Sequence, residues 1–274
     1  MSILHFSIRR KIIQFLNWFG GIGRSTVAML EQVGGLSILL WKTFKALFTY
    51  KWRRDHFFEQ LLRIGVTSLP LVALTALFTG MVLCLQSAYQ LKMFNVIRYT
   101  AGLVSLSITR ELGPVLTAMV VGGRVGAAIT AEIGTMKVTE QVDALSTLGA
   151  NPIKYLVIPR VVAGLLMLPL LTVFADFIGM FGGYLVATFR LGLSSSLYIY
   201  DTFQSLVLKD IVTGLIKAIA FGGIITIVGC YYGFNAKGGA EGVGRATTMS
   251  VVTALILVIA TDCFFTAIFY FVLP

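Results

Sequence analysis

The sequence predicts an all-α polytopic membrane protein: amino-terminal interfacial or elbow helices, then five transmembrane helices, with a short cytoplasmic helix between the second and third. Three observations predict it. Of 274 residues, 57% are hydrophobic and 12% charged, about half the ~25% charge of a typical soluble domain. Mean hydropathy is +0.88. The apolar residues also gather in five long runs, and at ~1.5 Å per helical residue a run of ~20 crosses the ~30 Å hydrocarbon core. A soluble core of this length could not hide so much apolar surface beneath a polar skin. An ordinary soluble enzyme, a disordered chain and a disulfide-framed secreted domain are therefore excluded.

Residues 1–60 form the amino-terminal interfacial and elbow region, and residues 61–274 the five-span domain. Over 7–19, Ile8, Ile12, Phe15 and Phe19 fall at helical spacing opposite Arg9, Arg10, Gln14 and Asn17. This amphipathic helix is too short to span and should lie in the interface. Residues 25–50 are more apolar but interrupted by Glu31, Gly34, Gly35, Lys42 and Lys45, which predicts an interfacial or re-entrant elbow, tethered by the basic run 51–54. The first span is 64–91, 28 residues without a charge. The second is 99–132, interrupted by Arg110, Glu111 and Arg124. Residues 136–148 read as a short amphipathic helix outside the hydrocarbon, with Val138, Val142, Leu145 and Leu148 on one face and Gly149, Asn151 and Pro152 as its stop. The third span is 161–189 with Asp176 in its middle, followed by a polar connection over 190–210. The fourth is 211–236 with Lys217 near one end, then a Gly-rich loop over 237–245, and the fifth is 246–273 with Asp262.

Basic residues set the orientation. Ten of the 22 Lys and Arg lie in the first 63 positions, so the N-terminus is expected inside, in the cytoplasm, and, after five spans, the C-terminus outside; the resemblance described below makes that outside the periplasm. The net charge of +10 is concentrated there among Trp, Phe and Leu, which fits anionic headgroups and not a nucleic-acid footprint. The Arg9-Arg10 pair is read as part of a retained anchor, because no long apolar core or small-residue cleavage site follows it.

Covalent chemistry is poorly served. Cys84, Cys230 and Cys263 are widely separated in apolar runs, against a disulfide or metal site. Only His5 and His56 are present, so the spans carry no H-E-x-x-H motif and no Ser/His/Asp triad. No nucleotide-binding P-loop occurs; any nucleotide energy must come through another chain.

Charges within spans are the informative residues, since each costs ~2.5–3.5 kcal/mol at a helix centre on insertion scales and needs a partner or a cavity. Arg110-Glu111, followed by the helix-loosening Gly113-Pro114, read either as a polar site in a cavity or as ion pairs between helices. Being ~100° apart, they do not simply neutralise each other. Asp176 and Asp262 read as packing and hydrogen-bonding groups. Gly122/Gly126, Gly179/Gly183 and Gly229/Gly233 allow close helix approach. Leu83, Ser87, Leu91 and Phe94 share one side of the first span's outer end, as a lipid pocket or as ordinary lipid- or core-facing residues. Glu140 and Asp143 suit helix 136–148 to a groove on a soluble partner more than to an anionic membrane surface.

The run from Arg110 to Val115, then Gly123-Arg124-Val125-Gly126, then the stretch from Thr130 through Thr135, Lys137 and Glu140 to Leu145 resembles the MlaE permease family. Asn151-Pro152, Pro159-Arg160, Gly182-Gly183, Arg245-Ala246-Thr247-Thr248 and the Asp262-containing span are also similar, so the resemblance covers about residues 60–270. It implies a non-catalytic permease subunit of an ABC system in the bacterial inner membrane, moving glycerophospholipid between that membrane and periplasmic carriers and maintaining outer-membrane lipid asymmetry. It implies a homodimer, a cytoplasmic ABC ATPase subunit (MlaF-like) that binds the ATP and Mg, a STAS-domain subunit (MlaB-like) and an MCE-domain ring subunit (MlaD-like). No cofactor and no nucleic acid are implied for this chain. The resemblance puts the lipid pocket at Arg110 and Glu111, with Leu83, Leu91 and Phe94 as further candidates. The coupling helix falls on 136–148, with Met136, Lys137, Glu140, Asp143 and Leu145 facing the ATPase. The alternatives are an ion-coupled secondary transporter using Glu111, Asp176 or Asp262, disfavoured by five spans without a repeat, and a membrane-embedded lipid enzyme, disfavoured by the histidine-free spans.

Overall fold

The computed structural model describes residues 27, 30–48 and 54–272; the expected interfacial helix at 7–19 and residues 51–53 of the tether lie outside them. All regular structure among the described residues is helical, and five helices are long and apolar enough to cross a membrane: Phe57–Met93, Ile97–Val138, Ile153–Phe189, Leu208–Phe234 and Gly239–Phe271. Their limits fall within a few residues of the runs read from hydropathy, with two kinds of exception. The first, third and fifth start seven or eight residues earlier, and the second ends six later.

Helix α1 (30–47) lies within the stretch expected to form the elbow. Leu39 and Thr43 bury one side of it, and Gly35 lies so close to the Tyr231 ring that a Cβ there would come within 2.6 Å. The first span joins α2 (Arg54–Ile64) to α3 (Leu69–Met93) through a 3-10 turn at Val66–Ser68. The second is built from α4 (Thr100–Ser107), α5 (Gly113–Val121) and α6 (Ala127–Val138), separated by π-turns at Ile108–Leu112 and Gly122–Gly126. Each π-turn adds a residue to its turn and so re-aims the side chains it carries. They hold Arg110-Glu111 and Arg124.

The third span opens with a π-turn at Ile153–Val157 and continues as α8 (Ile158–Phe189), followed by α9 (Ser195–Ser205), α10 (Leu208–Phe234) and α11 (Gly239–Val272). Helix α8 sits between α3 and α10, and α10 packs in turn on α6 and α11. The glycine spacings serve these crossings within the chain. A Cβ on Gly80 would lie 1.9 Å from the Gly179 carbonyl oxygen, and one on Gly222 2.4 Å from that of Gly164, so α8 meets both neighbours backbone to backbone. The largest apolar cluster, with Ile133, Leu168, Leu171, Phe221 and Ile225, fills the space around α8 and α10.

Three sequence expectations change. Residues 136–148 are not one helix. Helix α6 runs on to Val138, the chain breaks at Thr139 and Glu140, where Glu140 takes φ +63, and a separate α7 (Gln141–Thr147) follows. The left-handed residue turns the chain, so Val142 is buried while Leu148 is 83% exposed, and the expected single apolar face is divided. Secondly, the Gly-rich 237–245 loop is mostly the first two turns of α11, because only Gly238 (φ +87) and Gly239 (φ +68) need glycine's left-handed freedom. Lastly, the 190–210 connection contains α9, held down by buried Tyr198 and Thr202. Tyr198 donates to the Met180 carbonyl (3.4 Å), and burial raises its phenol above the ordinary tyrosine range.

Candidate functional site: a charged cavity at one end of the bundle

A proline organises the site. Pro114 has no N–H to return to the carbonyl of Arg110, four residues earlier. That oxygen lies 3.3 Å from the Lys217 ammonium, which is one reason a lysine 1% exposed is tolerated there. Lys217 also donates to Glu111 Oε2 (2.6 Å) and Thr266 Oγ1 (2.7 Å) and pairs with Asp262 Oδ1 at 2.9 Å. Thr266 in turn donates to Glu111 Oε1 (3.1 Å). One ammonium thus ties the first π-turn to α10 and α11.

Arg110 leaves the same π-turn in another direction. Its Nε and Nη2 both lie 2.6 Å from Asp210 Oδ1. Asp210 is itself fixed at the start of α10, where its Oδ2 accepts the Val207 N–H (3.2 Å), the arrangement that suits an acidic group at a helix N-terminus. The Asp210 side chain is 2% exposed and that of Arg110 54%. A buried carboxylate therefore holds an accessible guanidinium in place. Asp210, Thr213 and Lys217 share one face of α10, and Gly214 within that face lets the helix approach: a Cβ there would lie 2.4 Å from the Thr109 carbonyl oxygen.

These groups line a cavity of about 590 Å³, completed by Lys209, Thr213, Thr266, Phe269 and Tyr270. Such a volume falls in the ~300–1,000 Å³ range of small-molecule sites. One side offers cations and hydroxyls, and the aromatic rings of α11 form the other. The lining carries three cations (Arg110, Lys209, Lys217) and two carboxylates (Glu111, Asp210), with Asp262 paired to Lys217 outside the lining. No cluster of three or more His, Cys, Asp or Glu arranged to hold a metal occurs among the described residues.

The sequence places Arg110 and Glu111 together, and both line this cavity. From the sequence a polar cavity and an interhelical ion pair stand as alternatives; the geometry realises both. Sequence reasoning leaves Lys217 without a role and misses Asp210. The signal was available: two opposite charges seven residues apart, with Gly214 between them, mark one face of a helix.

The comparisons with known proteins agree with this architecture. Residues 57–268 match the family described as permease MlaE. The chain belongs to the MlaE permease family. It is 46% identical over 255 residues to a probable ABC transporter permease protein of Rickettsia bellii, covering 93% of this chain and 98% of that one. A probable ABC transporter permease protein of Synechocystis is 40% identical over 89% of this chain and 93% of its own. Protein trigalactosyldiacylglycerol 1, chloroplastic, of Arabidopsis thaliana is 39% identical over 80% of this chain and 62% of its own. As an MlaE-type permease the chain is a non-catalytic, multi-pass transmembrane subunit of an ABC transporter, with a role in lipid permeation.

The other candidate residues of this MlaE permease fall elsewhere. Leu83 packs on the cluster around Cys84, Val104 and Tyr198; Leu91 is half-buried and Phe94 is 75% exposed. None of the three lines the charged cavity. At the opposite end, Lys137 bridges to Asp143 (2.8 and 2.9 Å) across the α6–α7 break. Glu140 is exposed, Met136 and Leu145 half-buried. Val142 is buried and lines a shallow depression together with Gly35, Leu39, Pro152 and Phe234.

Proposed function

We propose that this permease moves glycerophospholipid between the bacterial inner membrane and periplasmic MCE-domain carriers, with the Arg110 cavity receiving the phosphate at the periplasmic end. The observation that carries the reading is the accessible guanidinium held on a buried carboxylate. Its Nε and Nη2 are engaged by Asp210, and its remaining donors suit phosphate oxygens. The aromatic wall of Phe269 and Tyr270 offers apolar surface to the rest of the lipid, and Leu83, Leu91 and Phe94 extend apolar surface at the same end of α3. Two copies of the chain would close the substrate space between them beneath an MCE-domain ring (MlaD-like).

The energy enters at the other end. An ABC ATPase subunit (MlaF-like), assisted by a STAS-domain subunit (MlaB-like), would bind ATP and Mg in the cytoplasm. It would push on α7 through the exposed Glu140 and Asp143. Because α7 is tied to α6 by the Lys137–Asp143 pair, its displacement moves the second span, which carries Arg110 and Glu111. An ion-coupled mechanism is less well served at Glu111 and Asp262, which are both committed to Lys217.

The test is Arg110→Ala in the complex purified from native membranes. Bound phospholipid and transport should both fall several-fold while the subunits still co-purify. Wild-type lipid occupancy and transport in that variant would make Arg110 a structural residue only.

A further inference from the structure

Arg124 is a second cation that the cavity does not use. It sits in the π-turn at Gly122–Gly126 and is exposed. Its Nη1 donates to Thr67 Oγ1 (3.0 Å) and Ser68 Oγ (2.9 Å) in the 3-10 turn between α2 and α3. Those hydroxyls spend their own protons on the Arg63 and Ile64 carbonyls, so they can only accept from the guanidinium. They orient Arg124 without neutralising it, and no carboxylate pairs with it among the described residues.

The neighbouring ion pairs do not supply the missing charge. Arg63 is shared between Glu59 (2.8 Å) and Glu132 (3.3 Å), and Glu132 also takes the buried Arg160 (3.0 Å). Around the α2–α3 junction three guanidinium groups thus meet two carboxylates, leaving one positive charge in excess. That excess falls on the most loosely partnered member, Arg124.

Depth identifies what can answer it. Arg110 and Arg124 are fourteen residues apart on one span, about 21 Å along its axis. Long side chains at such positions reach outward to opposite interfaces of a ~30 Å hydrocarbon layer. Arg124 does reach outward, towards the turn at the start of α3. Beside it, Gly123 is exposed, and apart from its chain neighbours and its own helix backbone nothing lies within 4 Å of the position a Cβ would take, so there is room for a ligand.

We infer that Arg124 is a second phosphate-binding station, which holds the headgroup phosphate of a membrane phospholipid at the end of the bundle opposite the Arg110 cavity. The inference extends the phospholipid reading of that cavity but rests on separate residues. Nε and Nη2 of Arg124 supply the donors, and the Thr67 and Ser68 hydroxyls fix the fork. A lipid would then meet a guanidinium at each leaflet along a path across or out of the bilayer.

The experiment places a photo-crosslinking benzoylphenylalanine at position 123 and, in a separate variant, at Thr213 in the cavity. Both variants are made in the full complex, in cells labelled with radioactive phosphate. Position 123 should capture labelled phospholipid. Arg124→Gln should cut that capture about tenfold, the loss expected for one charge-assisted contact pair, while Thr213 capture and subunit co-purification persist. Arg124→Lys, which keeps the charge but not the fork, should retain part of the capture. Capture at 123 unaffected by Arg124→Gln would overturn the inference. So would capture only of another protein chain, or competition by excess inorganic phosphate in isolated membranes, which would mark a site for the free anion. Capture at 123 with none at Thr213 would instead remove the cavity reading and leave this one standing.

Discussion

The two ends of the bundle treat charge in opposite ways. In the Arg110 cavity the ammonium of Lys217 and the carboxylate of Asp210 are almost wholly buried, and each has several partners. At the α7 end, Lys137–Asp143 and Arg63–Glu59 are largely open to solvent, Arg160 against Glu132 being the buried exception, and the buried anchor of α7 is apolar Val142. The difference follows from solvation. A charge inside the bundle loses several kcal/mol of hydration and must recover it from neighbours, whereas an exposed pair is worth only ~0–1 kcal/mol. The cavity is therefore the rigid half of the machine, and the α7 end the half that can shift cheaply.

The sharpest way to break that contrast is Lys217→Ala, which leaves Glu111 and Asp262 facing each other without a cation. A loss of about 3–5 kcal/mol is expected, read as a large drop in thermal midpoint of the detergent-solubilised protein. Lys217→Met with Glu111→Gln and Asp262→Asn should recover most of it, because no uncompensated charge remains. If the single variant melts like wild type, the cavity is not rigid in the sense argued.

A smaller effect is expected from Gly214→Val. The added carbons meet the Thr109 carbonyl and push α10 off the π-turn, at a cost of about 1–3 kcal/mol. The displacement should also loosen the Arg110–Asp210 bond, seen as weaker lipid retention beyond the stability loss. Unchanged melting and retention would show that α10 need not approach so closely.

At the other end, Glu140→Lys with Asp143→Lys should change stability by about 1 kcal/mol or less yet reduce co-purification of the ATPase. Normal co-purification would remove the docking role of α7. The smallest effect is that of Glu140→Gly, which relieves a left-handed residue at φ +63 and should stabilise by up to ~1 kcal/mol. Destabilisation there would mean that the Glu140 side chain itself holds the α6–α7 corner.

Much of this was legible beforehand. The five spans follow from hydropathy because the bilayer imposes a length on any helix that crosses it. Arg110 and Glu111 stood out for the same reason: a charge in an apolar run has a high cost and needs a purpose. The α6–α7 break was not legible, since Val138, Val142, Leu145 and Leu148 keep helical spacing straight through it and glutamate gives no hint of a left-handed conformation. Helix α9 was hidden because its serines and tyrosines look like a polar connection until the groove that buries Tyr198 is known.

The sequence by itself determined the all-helical class and the number and approximate limits of the spans, and it singled out Arg110 and Glu111 as charges within a span. These depend on local composition, and the solvent of each segment can be read from its residues. Only the tertiary structure decided who answers those charges. Lys217 and Asp210 lie about a hundred residues along the chain from Arg110 and Glu111. They are brought into contact by a π-turn, a proline that releases one carbonyl, and a glycine that lets α10 come close. Charge pairing across helices is a property of register and approach, and neither is written in any one segment.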